Sequence, residues 1–126
     1  MKKINIDTRK SKIRVKIFSE SVYEPRFEIT VIAPDAKTVI EKYTGDTKIN
    51  NPYIKTLEIK PVDCKGYFIN GIFKLNSPDG SDFPFSTVFS VLEDDDIVEP
   101  FYTLSGTTIN GVYIGVAGYI MNFDSF

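Results

Sequence analysis

Strict alternation of apolar and polar residues limits what this chain can fold into more than any other feature. In KIRVKIF, Ile13, Val15 and Ile17 share one side of an extended chain, while Lys12, Arg14 and Lys16 share the other. Successive strand side chains point to opposite faces, so this is the pattern of a strand with one face buried. RFEITVIA repeats it with Phe27, Ile29 and Val31, and DFPFSTVFSVL with Phe83, Phe85, Phe89 and Val91. A further strand, about Ile54 to Lys60, sets Leu57 and Ile59 on one face.

One segment breaks the period. In PDAKTVIEKYTG, Ala36, Val39, Ile40 and Tyr43 recur at i, i+3, i+4 and i+7, which predicts a short helix over 35–44. Asp35 would cap its first turn and Gly45 would end it in a left-handed conformation. From Cys64 onward only strands are expected. Asn70-Gly71 and Asn110-Gly111 each read as a hairpin turn, because a type I′ turn needs positive φ at both central positions. Gly111, Gly115 and Gly118 dilute the last apolar run, as at a bend, bulge or close backbone approach. The expected fold class is therefore α+β and predominantly antiparallel β: a single compact sheet or small barrel carrying one helix. With 126 residues, the chain fits one domain over 1–126, with residues 1–11 as a basic N-terminal arm.

The charges are segregated along the chain. Residues 1–16 carry seven bases against Asp7; residues 17–74 carry eight of each sign; beyond Lys74 there are eight acids and no base. The net charge of −2 hides this polarity. Three arrangements would follow from it. The basic start could pair with the acidic end inside the fold, opposite ends of two copies could meet, or the acidic surface could steer a basic partner.

Few residues are equipped for chemistry. Without histidine, and with Cys64 the lone cysteine, neither a Ser-His or Cys-His pair nor an ordinary zinc site can be assembled, and a disulfide within the chain is excluded. The acidic run Glu93, Asp94, Asp95, Asp96 fails the calcium-loop template: counting from Asp94, Val98 stands at position five, Glu99 at six and Ser105 at twelve. A solvated acidic loop is the better description. No metal ligand, cofactor site or catalytic residue is assigned. Pro34-Asp35 together with Glu58-Ile59-Lys60 match, letter for letter, the pattern PD…(D/E)xK, and so resemble the metal-dependent nuclease family of that name. The resemblance covers five positions. It implies that Asp35 and Glu58 hold Mg²⁺ and that Lys60 polarises the attacking water. Asp35 is equally explained as a cap, and Glu58 and Lys60 as the exposed face of a strand.

The leading expectation is a non-enzymatic interaction module. It would act as an inhibitor or accessory protein, binding a basic, for example nucleic-acid-binding, protein through an acidic surface made of Asp79, Asp82, Glu93, Asp94, Asp95, Asp96 and Glu99. The alternative is a small barrel that binds single-stranded nucleic acid through Arg9, Lys10, Lys12, Arg14 and Lys16. A third is a homo-oligomeric subunit with the N-terminal arm exchanged between copies. The start MKKINIDTRK has no apolar stretch behind its lysines, and no window approaches a membrane span, so a cytoplasmic location is expected.

Overall fold

In the computed structural model, which describes residues 1–124, the strands are β1 (Lys2–Ile6), β2 (Ile13–Ser21), β3 (Arg26–Ile32), β4 (Val39–Asp46), β5 (Tyr53–Thr56), β6 (Phe68–Asn76), β7 (Pro84–Glu93), β8 (Asp96–Thr107) and β9 (Val112–Phe123). They form two sheets, a five-stranded one in the order β1-β9-β6-β3-β4 and a four-stranded one in the order β5-β2-β7-β8. Neighbours run antiparallel except β1, which lies parallel to β9.

The alternating segments form strands because each has an apolar face to bury against the other sheet. Ile13, Val15 and Ile17 of β2, Ile29 and Val31 of β3, and Phe89 and Val91 of β7 are fully buried in one core. A file of aromatic rings zigzags between the sheets: Tyr53, Phe27, Phe73, Phe89, Tyr119, Tyr102, with successive centroids 4.8 to 6.2 Å apart. The two long edges of the sandwich are fastened differently. On one, Lys2 Nζ sits 4.9 Å from the Tyr102 ring centroid, joining β1 to β8. On the other, the buried Glu41 of β4 accepts hydrogen bonds from the backbone N–H groups of Glu58 (2.7 Å) and Ile59 (3.0 Å), just after β5.

The expected helix over 35–44 is absent, so the fold is all β rather than α+β. Residues 34–38 make a tight loop in which Ala36 is left-handed at φ +62°. Asp35 caps this loop instead of a helix, accepting from the amides of Lys37 and Thr38, both at 2.8 Å. From Val39 the chain returns as edge strand β4, paired along β3. The helical spacing of Ala36, Val39, Ile40 and Tyr43 was coincidental: three of those four positions are exposed. Pairing with β3 and burial of Glu41 on the inner face outweigh a weak local preference.

The two Asn-Gly pairs behave differently. Asn110-Gly111 is a two-residue hairpin turn, with φ +53° and +74° and reciprocal backbone hydrogen bonds between Ile109 and Val112. Asn70-Gly71 lies instead in the middle of β6, where Gly71 faces Ile29 and Ala117 in the neighbouring strands. A β-carbon there would stand 2.7 Å from the Phe73 ring and 3.0 Å from that of Phe89. This glycine makes room for the aromatic file. Residues 1–11, expected as a basic arm, begin with strand β1, whose Ile4 and Ile6 are fully buried. Beyond β5, Leu57 and Ile59 are buried as expected, although the strand itself ends at Thr56.

Gly71→Ala should therefore lower stability by about 1–3 kcal/mol, the usual cost of overpacking a filled core. The test is the urea unfolding midpoint; a variant as stable as the parent would mean that the ring file shifts freely.

Candidate binding face

The two charged segments meet. β7 and β8 are joined by a turn at Asp94 and Asp95, with Asp94 left-handed at φ +54°, a conformation Asp tolerates. Asp94 accepts from the Ser11 hydroxyl at 2.7 Å and from the amides of Ser11 and Lys12 at 3.2 and 3.1 Å. The Ser11 hydroxyl bond, followed by those amides, holds its carboxyl below the ordinary value. Asp95 pairs with Arg14 at 3.0 Å and Asp96 with Lys10 at 3.5 Å. Glu93 is buried, and both of its oxygens take the backbone N–H of Asp7, at 3.0 and 2.9 Å. The basic start and the acidic run are thus partners within one chain, where the exposed pairs fix register more than they stabilise.

The structure divides the acidic residues between the two ends of the sandwich and sets the basic ones beside one of those groups. Asp82 precedes β7 and Glu93 ends it, and a ten-residue strand spans about 33 Å. Asp79 and Asp82 therefore lie at the opposite end of the sandwich from Glu93, Asp94, Asp95 and Asp96. There, Asp79 accepts from Ser81 and Asp82 from the Gly111 amide at 2.7 Å. Glu99 lies in β8 close to a register shift, exposed. On the basic side, Arg9 is bound to Asp7 at 3.0 Å, and Lys10 and Arg14 are engaged as above. Lys12, just before β2, and Lys16, within it, remain beside them.

Of the residues that match the nuclease pattern, Asp35 closes the β3–β4 loop, while the Glu58 backbone amide binds Glu41 and, among the described residues, a single 3₁₀ turn, Pro61–Asp63, rather than a helix follows Lys60. Cys64 is fully buried, and burial pushes its thiol up to about 11, so it is protonated at neutral pH and unsuited to nucleophilic attack. Among the described residues, no three His, Cys, Asp or Glu side chains converge as metal ligands. Nor is any helix long and apolar enough to cross a membrane.

The outer face of the five-stranded sheet is the unusual surface. Cross-strand partners point the same way, and the register places Asn70 beside Gly118, Ile72 beside Val116, Lys74 beside Ile114 and Asn76 beside Val112. Val112, Ile114 and Val116 of β9 are 37, 62 and 70 % exposed, and Ile72 of β6 is 48 % exposed. An antiparallel sheet with one wet face ordinarily turns polar side chains outward. Here four β-branched aliphatic residues make a stripe along its middle. Met1 extends the stripe, its Cε lying 3.3 Å from where a Gly118 side chain would begin. A depression of about 290 Å³, lined by Lys3, Lys65, Gly66 and Ile120, lies at one end, and a cleft of about 310 Å³, lined by Arg26, Lys48 and Lys74, at the other. The stripe had a sequence signal, since VYIGVA is apolar at odd and even positions alike. The clefts had none, because strand register creates them.

Comparison with protein-family models, with curated proteins and with solved structures finds no match for this chain.

The buried Glu93 yields a pH test. Burial raises its carboxyl above the ordinary 4.5, against the pull of the Asp7 amide. A raised acid contributes stability fully below its unfolded value and loses that contribution as pH rises through the folded value. Glu93→Gln should remove this component, so the urea midpoint of the variant should fall less than that of the parent between about pH 4 and about pH 7. Identical pH profiles would refute it. A second check concerns Cys64: a thiol reagent at neutral pH should leave the native protein unmodified and label it promptly in denaturant.

Proposed function

We propose that this protein is a non-enzymatic binding module that docks on another protein through the outer face of its five-stranded sheet. The observation that carries the reading is the exposed stripe of Val112, Ile114, Val116 and Ile72 in the middle of that face. A contiguous apolar patch rimmed by polar groups is costly to leave in water and is characteristic of an interaction surface.

The charges around the stripe describe its partner. On the same face the register sets Lys3, Arg26, Lys42 and Lys74 against Glu28 and Asp46, so bases outnumber acids although the whole chain is net negative. Of these, Lys42 and Glu28 neutralise each other at 3.7 Å. The complementary surface is an aliphatic centre with an acidic rim. Such a contact gains most of its affinity from the apolar centre, while the rim sets orientation and on-rate.

Ile114→Asp and Val116→Asp test this, because exposed positions admit a charge without disturbing the core. Both variants should unfold at urea midpoints close to the parent's. Each should lose a protein that the tagged parent captures from a lysate of the source organism, while Lys16→Gln, on the other sheet, keeps it. Capture unchanged by both stripe variants would overturn the reading. So would parent dimers in sedimentation that Val116→Asp dissolves, since the occupant would then be a second copy.

A further inference from the structure

We infer that the cleft at the Asn76 end of this face is a binding site for an oxyanion of the phosphate type. The inference does not use the apolar stripe, although Arg26 and Lys74 also belong to its rim, and it rests on how the sheet register gathers cations. Arg26 of β3 and Lys74 of β6 are direct cross-strand partners. Their side chains therefore leave the sheet together from points about 5 Å apart. Like charges in that arrangement repel, and natural sheets ordinarily place an acid opposite a base. Lys48, from the segment after β4, brings a third cation into the same cleft of about 310 Å³. Among the described residues, none of the three has a carboxylate within 4.0 Å.

The nearby acids do not remove the excess. Glu24 lines the cleft and Asp46 is Arg26's other cross-strand neighbour, so three bases face two acids. Asp46 already accepts the Lys48 amide at 3.0 Å. The walls add neutral donors in Tyr23 and Asn76. Tyr23 is held in place by its edge-on contact with Phe83, at 4.9 Å between centroids. A planar guanidinium that binds two oxygens at once, beside two ammonium groups that act as point charges, is a combination suited to phosphate. A bound anion would offset the Arg26–Lys74 repulsion.

The experiment titrates the full chain with inorganic phosphate, and in a second arm with methyl phosphate, at ionic strength held constant with sodium chloride, following backbone amides by NMR. Saturable shifts confined to amides around Tyr23, Lys48 and Asn76 are expected, and the Arg26→Gln/Lys74→Gln double variant should bind at least about tenfold more weakly. Val116→Asn, which interrupts the stripe beside Ile72 without adding a charge, should bind as the parent does, which separates this site from the stripe. Equal binding of both probes would identify the site as one for phosphoryl esters; binding of phosphate alone would identify a site for the free anion. A further reading checks the repulsion directly. Without phosphate, Lys74→Gln should be at least as stable as the parent at low salt, and phosphate should raise the parent's melting temperature but not the variant's. Non-saturating shifts spread over all lysines, or a double variant that binds like the parent, would overturn the proposal.

Discussion

The aromatic file between the two sheets is the interaction on which the rest of the structure depends. It draws Phe27, Phe73 and Tyr119 from one sheet and Tyr53, Phe89 and Tyr102 from the other, so no sheet can shift without unpacking rings of its partner. Large rings bury much area and prefer edge-on or tilted contacts, which fixes both the spacing and the alignment of the sheets. Two of the phenols also tie rings to backbone. The Tyr119 hydroxyl donates to the Phe89 carbonyl at 2.5 Å and the Tyr102 hydroxyl to that of Gly118 at 2.7 Å. Space for the file comes from Gly71, and from Gly45, where a β-carbon would stand 3.2 Å from the Phe27 ring and 3.3 Å from that of Tyr53.

With the interior fixed in this way, the buried acids acquire structural work. Glu41 satisfies two amides at one edge of the sandwich, and Glu93 takes up the Asp7 amide near the other. Each is a buried carboxylate whose oxygens meet backbone donors, the condition under which burying such a group is tolerable. The chain's charge polarity serves the same end. The acidic β7–β8 turn grips the loop between β1 and β2, so the segments of opposite charge are neighbours through topology. The acidic β7–β8 turn thus lies away from the outer face of the five-stranded sheet, the face proposed for a partner, and strand β1 of the basic segment contributes Lys3 to that face.

Much of the fold was legible from alternation alone. The inward residues of β2, β3 and β7 were identified by period, and Asn110-Gly111 by its turn chemistry. The helix was misread because an edge strand's exposed residues are free to be apolar, and Val39 and Ile40, with Ala36 and Tyr43, imitate helical spacing there. Asn70-Gly71 was misread because glycine serves both positive φ and close packing, and only the location of Phe73 and Phe89 distinguishes the two. The acidic residues after Lys74 read as one surface because they are close in sequence, yet a ten-residue strand separates Asp79 and Asp82 from Glu93 and the turn after it.

The sequence by itself determined that this chain is a sheet protein with a phenylalanine- and tyrosine-rich core, and that Cys64 stands without histidine or a second cysteine to act with. Those properties follow from side-chain period and residue type, which are local. Only the tertiary structure decided that Arg26 and Lys74 stand side by side, that Ile72 joins the stripe of β9, and that Asp94 binds Ser11. Each of these depends on strand order and register. Register is set by how two whole faces pack, and no short stretch of sequence carries that information.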